Sequence, residues 1–150
     1  MDGGALTQVN IDYALGLVEA LVCGALIGLE RQLRGHAAGL HTNALVALGS
    51  AAFVMAGVVV GDSSGPARVA GQVVSGVGFL CAGFIIHQGA TVRGINTAAT
   101  VWCASAVGVL AGLGMMVWAG LVSVLVVLAN FVLHHVEHQI IKSRQDAGTG

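Results

Sequence analysis

The chain has 150 residues, of which 56% are hydrophobic and only 9% charged, and its mean hydropathy is +0.88. A water-soluble domain carries roughly 25% charged side chains, so this chain cannot cover a globular surface and reads as a membrane protein. A formal net charge of -1 excludes the basic footprint of a nucleic-acid binder, and 23 Gly with 1 Pro suit closely packed helices in lipid better than a disordered or collagen-like chain.

Crossing about 30 Å of hydrocarbon takes about 20 apolar residues, so the chain accommodates about five spans. The first is expected from about Asp12 to Gln32, the second from about His41 to Gly61 and the third from about Pro66 to His87. The apolar stretch from Ile95 to Val136 is too long for one crossing, and Gly112-Leu113-Gly114 supplies the break between a fourth and a fifth span. The Ala- and Thr-rich fourth span is the weakest of the five, with a re-entrant segment as its alternative. The expected fold is therefore all-α, a polytopic membrane helix bundle. Residues 1–138 form the membrane domain and 139–150 a short polar tail. Cys23, Cys81 and Cys103 each sit in an apolar run and read as small buried hydrophobes.

Lys and Arg in short loops set orientation. Arg31 and Arg34 follow the first span, Arg93 the third, and Lys142 and Arg144 the fifth, whereas Asp2, Asp12 and Asp62 mark the opposite ends with Arg68 as a lone cation. The N-terminus is expected outside and the C-terminus in the cytoplasm. No positive segment precedes the first apolar run, so the first span is expected to be retained rather than cleaved.

Helices in lipid associate by close backbone approach and hydrogen bonds, so small residues should line their contacts. Gly24 and Gly28, Gly57 and Gly61, Gly71 with Ser75, and Ala104 with Gly108 and Gly112 recur at a spacing of one helical turn. Gly76 and Gly78 begin a partial G-x-G-x-x-G, but Cys81 replaces the last Gly and no strand surrounds it, so helix contact is the better reading. Spacing alone names no partner.

Ionisable groups inside a membrane are functional candidates by default. Asp12, Glu19 and Glu30 fall within about 20° of one face of the first helix. Two readings stay open for Glu19: a cation or proton path, or a structural pair with Arg68 or Gln72 entering from the third span. Arg93, Thr97 and Thr100 are expected on one face of the fourth span beside Asn96, with Arg93 placed to meet Glu30 at the cytoplasmic boundary. His134, Glu137 and His138 match H-x-x-E-H, yet they cap a membrane helix without a third ligand and are set aside as a zinc site. No catalytic triad, phosphate-binding loop or Cys-rich zinc spacing is present, so no enzymatic activity and no cofactor are expected.

Three stretches together resemble the membrane domain of the bacterial MgtC/SapB family. They are Gly24-Ala25-Leu26-Ile27-Gly28-Leu29-Glu30-Arg31-Gln32 continuing through residues 38–50, Gln72-Val73-Val74-Ser75-Gly76-Val77-Gly78-Phe79-Leu80-Cys81-Ala82-Gly83, and Val92-Arg93-Gly94-Ile95-Asn96-Thr97-Ala98-Ala99-Thr100-Val101-Trp102. The resemblance covers most of residues 20 to 105 and implies a bacterial inner-membrane protein linked to magnesium limitation, acid stress or survival inside macrophages. Three departures stand out. The family's Arg-Thr-His is His41-Thr42-Asn43 here, Cys81 replaces a usual Gly, and the C-terminal soluble domain of many members is not expected to fit after Val136.

The expected function is regulation of another membrane protein through helix contacts, with the bilayer, a second copy or another membrane protein as partners. Glu19, Glu30, Arg31, Arg68, Gln72, Arg93, Asn96, Thr97 and Thr100 are the candidate functional residues. The alternative is a small transporter or channel for Mg²⁺ or another cation, in which Glu19 and Glu30 touch the ion.

Overall fold

In a computed structural model, residues 3–60, 64–89 and 91–147 are described, with side chains from residue 11 onward except at 88, 134 and 137–147. Five helices and one small hairpin make up the described chain: α1 (Gly3–Leu33), α2 (Leu40–Val59), α3 (Gly65–Ala82), β1 (Ile86–Gln88), β2 (Thr91–Arg93), α4 (Ile95–Gly112) and α5 (Met116–Ala147). The all-α bundle expected from the sequence is the observed fold.

Four segments are long and apolar enough to cross a bilayer: Ile11–Leu33, Leu40–Val59, Ile95–Gly112 and Met116–Leu133. The Ala- and Thr-rich fourth helix is among them, so the weaker candidate is α3, whose Arg68, Gln72 and small residues dilute its apolar character. At 1.5 Å per residue α3 is still about 27 Å long, near the hydrocarbon thickness.

The third element is also shorter than its expected span to His87. Gly83 caps α3, and the following residues turn into the antiparallel pair Ile86 with Arg93, His87 with Val92 and Gln88 with Thr91. β-Branched residues flanking a tight turn favour this hairpin over another helical turn. Gly94 then enters α4 with φ of 89°, and a Cβ there would collide with the Phe84 carbonyl, so only glycine fits.

Helices α1 and α4 approach α2 through backbone. A Cβ on Gly24 would lie 2.6 Å from the Asn43 carbonyl oxygen, and one on Gly28 would lie 2.6 Å from the Gly39 oxygen. From α4, Gly108 and Gly112 rest against the carbonyls of Ala47 and Ala51. These small residues allow dispersion contacts and weak hydrogen bonds to replace the hydrophobic drive that lipid removes. Gly57 faces Val69 of α3, whereas Gly71, Gly76 and Gly78 have open space where a side chain would stand. Gly61 lies outside the described residues.

Two apolar clusters fill the interior. Ala20, Cys23, Ile27, Ala104, Val107 and Ala119 join α1, α4 and α5, and Val54, Val73, Val77, Cys81 and Val101 join α2, α3 and α4. Within the spans, 56% of the α4 window is buried but only 11% of the α5 window, so α4 is central and α5 presents most of its surface outward.

Candidate functional site

The site is built at the C-terminal end of α1. Gly35, at φ of 73°, ends that helix: its N–H donates to the Gln32 carbonyl at 3.0 Å and the His36 N–H reaches back to Arg31 at 3.0 Å. This left-handed cap satisfies carbonyls the helix would otherwise leave open. The Gln32 side-chain oxygen accepts the Leu40 N–H at 3.1 Å, and the Asn43 amide donates to the carbonyls of Ala38 at 3.0 Å and Gly39 at 2.9 Å. The short link from α1 to α2 is thereby fixed, and with it the side chains just before it.

Glu30 and Arg34 form an ion pair one helical turn apart, at 2.5 Å between Oε1 and Nε. Arg34 also lies over the Phe131 ring of α5, 5.0 Å from its centroid. The other Glu30 oxygen accepts from the Asn130 side-chain amide at 3.4 Å. Thr100 of α4 donates its hydroxyl to the Asn96 carbonyl at 2.9 Å and sits 3.5 Å from the Asn130 side-chain oxygen. A polar relay therefore links α1, α5 and α4 at one end of the bundle.

Beside this relay lies a cavity of about 560 Å³, lined among others by Arg31, His36, Asn96, Thr100, Cys103 and Asn130. Arg31 is only 5% exposed, yet its Nε and Nη2 have no hydrogen-bond partner. Two buried guanidinium nitrogens without an acceptor are costly, since their desolvation is not repaid by a directed bond.

The candidate residues thus separate into a cluster and outliers. Glu30, Arg31, Asn96 and Thr100 come together, and Thr97, next to Asn96 on α4, is buried. Arg93 does not meet Glu30. It lies in β2, exposed and outside α4, and Arg34 holds the carboxylate instead because an i, i+4 neighbour on the same helix is already in reach. The expected pairing of Glu19 with Arg68 or Gln72 is also not formed. Helix α3 packs on α2 and α4, leaving Arg68 and Gln72 exposed. Glu19 instead faces Gly120 of α5, and its Oε2 is buried without a hydrogen-bond partner.

Arg34, His36 and Asn130 were not among the candidates. A lone Asn in the apolar fifth span and an Arg four residues after Glu30 were the available signals. Cys81, at the family's usual glycine, is buried and donates its thiol to the Ala98 carbonyl at 3.2 Å. Among the described residues no group of three or more His, Cys, Asp or Glu is placed to hold a metal, and the side chains of His134, Glu137 and His138 lie outside them.

Comparison with known proteins places this arrangement. The family model described as MgtC family matches residues 17–139. Protein MgtC of Salmonella typhimurium strain 14028s is 48% identical over 128 residues, covering 85% of this chain and 55% of that protein. Protein MgtC of Brucella abortus strain 2308 is 51% identical over 117 residues, covering 78% of this chain and 49% of its own. The chain thus spans about half the length of these relatives. No solved structure matches it. The matched region runs from within α1 to within α5 and contains the whole relay from Glu30 to Asn130; the chain belongs to the MgtC family.

Proposed function

We propose that this membrane protein is non-enzymatic, resides in the bacterial inner membrane, and regulates another membrane protein during magnesium limitation, acid stress or intracellular survival. Its N-terminus lies outside and its C-terminus in the cytoplasm. The observation that carries this reading is the outward face of α3. The helix buries Val73, Val77 and Cys81 and turns Gly71, Ser75 and Gly78 away from the bundle, where none of the described residues comes within 4 Å of the place a Cβ would take on the two glycines. In lipid, such a face gains by meeting another helix, because close backbone approach supplies the contacts that lipid tails compete for poorly.

A cation-conducting reading has one observation in its favour, the buried and unpartnered Glu19 oxygen. Glu30, however, is tied to Arg34 and Asn130, and Cys23, Ile27, Ala104 and Val107 fill the interior beside the segment of α1 between the two carboxylates. Reconstitution in liposomes separates the readings. Under the regulatory reading the purified chain carries neither Mg²⁺ nor protons, and crosslinking through α3 captures another membrane protein, a capture abolished by Gly71→Leu. Flux that Glu19→Gln removes without unfolding the chain would overturn it.

A further inference from the structure

We infer that the cavity between α1, α4 and α5 is a binding site for a phosphate-type oxyanion, gripped by the Arg31 side chain. Arg31 is 5% exposed and lines this cavity with Nε and Nη2 unpartnered. Those two nitrogens form the side-on edge of the guanidinium, whose parallel N–H bonds match two oxygens of one oxyanion. The nearest carboxylate does not fill that role, because Glu30 is engaged by Arg34 and Asn130.

The rest of the wall suits an anion with more than two oxygens. Asn96 and Asn130 bring amide groups and His36 an imidazole to the same cavity. Asn96 also lies in the first turn of α4, an N-terminus without a side-chain cap, where exposed N–H groups favour negative charge. Two arginines against one glutamate leave the cluster cationic. A cavity of about 560 Å³ is of ligand size. Arg31 stands two residues before Leu33, the end of the first apolar span, which is the level of lipid headgroups. A phospholipid headgroup and a free phosphate share the chemistry this site selects. The inference rests on the cavity and not on the regulatory reading, so either can fail alone.

The test uses the full chain in a neutral detergent, with inorganic phosphate, phosphatidic acid and diacylglycerol of the same acyl chains as probes, at constant ionic strength. Thermal midpoints and ³¹P line widths are read for the native chain, Arg31→Gln, Arg31→Lys and Arg93→Gln. The native midpoint rises with inorganic phosphate, with phosphatidic acid or with both, and not with diacylglycerol. Arg31→Gln weakens apparent affinity by about tenfold or more, and Arg31→Lys, which keeps charge without the fork, weakens it by about threefold or more. Arg93→Gln, an exposed cation in the adjoining hairpin, changes it by less than about twofold. A response to inorganic phosphate identifies a free anion as the source, and a response to phosphatidic acid alone identifies a headgroup. No response to either, an equal response to diacylglycerol, or equal affinities in the native chain and Arg31→Lys overturns the inference, the last holding even where Arg31→Gln does not fold.

Discussion

The hydroxyls of Ser50 and Ser105 meet at 2.8 Å in the buried contact between α2 and α4. Ser50 spends its hydrogen on the Val46 carbonyl, also at 2.8 Å, so Ser105 is the donor to Ser50. Deleting Ser50 therefore strands a buried donor, whereas deleting Ser105 leaves Ser50 satisfied. Interhelical hydrogen bonds in membranes contribute about 0.6 kcal/mol on average and up to about 1.7. Ser50→Ala is expected to cost about 1 to 1.5 kcal/mol and Ser105→Ala about 0.5, measured by unfolding in mixed detergent micelles. Equal costs would refute the donor order.

The glycines of α3 and α4 are expected to behave oppositely. A Cβ on Gly108 meets three backbone atoms of Ala47, which cannot rotate away, and one on Gly71 meets nothing within 4 Å. Overpacking a tight contact costs about 1 to 3 kcal/mol, and Gly108→Ala should fall in that range. Gly71→Ala should be neutral or stabilising by up to about 1 kcal/mol through helix propensity alone. Thermal unfolding of both variants in one detergent provides the comparison. A Gly71→Ala loss as large as that of Gly108→Ala would place α3 against another helix even in the purified chain.

Much of the fold was legible because lipid constrains it. An apolar run must be helical at membrane depth, and the Gly112-Leu113-Gly114 break divides α4 from α5 as its composition suggests. Partners were less legible. Helical spacing puts Gly24 and Gly28 on one face of α1 without saying that α2 covers it, and puts Arg68 and Gln72 on one face of α3 without saying that this face looks outward. The hairpin was missed because three-residue strands leave no periodicity to read, and moving Arg93 out of α4 dissolved its shared face with Thr97. Asn130 was missed for a related reason: one polar residue among apolar ones has no period, and its meaning depends on Glu30, a hundred residues away.

Glu30 and Arg34 offer a measurable coupling. The pair is largely buried, with side-chain exposures of 12% and 23%, so water screens it less than a surface pair. Surface pairs one helical turn apart contribute about 0.3 to 0.5 kcal/mol, and a double-mutant cycle on Glu30→Gln and Arg34→Gln is expected to give about 1 kcal/mol, given the added burial. Arg34→Gln alone should cost more than the coupling, because it also removes the cation from the Phe131 ring. A coupling that vanishes at low salt would show that the pair does not form.

Labelling from the two sides of the membrane tests whether α3 crosses. Gly35, between α1 and α2, and Arg93, between α3 and α4, lie at one end of the helices; Ser64, before α3, and Leu113, between α4 and α5, lie at the other. Single cysteines at these four positions, in a background with Cys23, Cys81 and Cys103 replaced, can be treated with an impermeant thiol reagent in right-side-out and inverted vesicles. If α3 spans, Gly35→Cys and Arg93→Cys label from one side, and Ser64→Cys and Leu113→Cys from the other. Under the proposed orientation, which the Arg excess at Arg31, Arg34 and Arg93 supports, the first pair is cytoplasmic and inverted vesicles should label it faster. If α3 instead lay along the interface, Ser64→Cys would label from the same side as Arg93→Cys. Since α3 is the helix whose polar start and small residues keep it from the apolar threshold, its loop positions are the ones on which the crossing number turns.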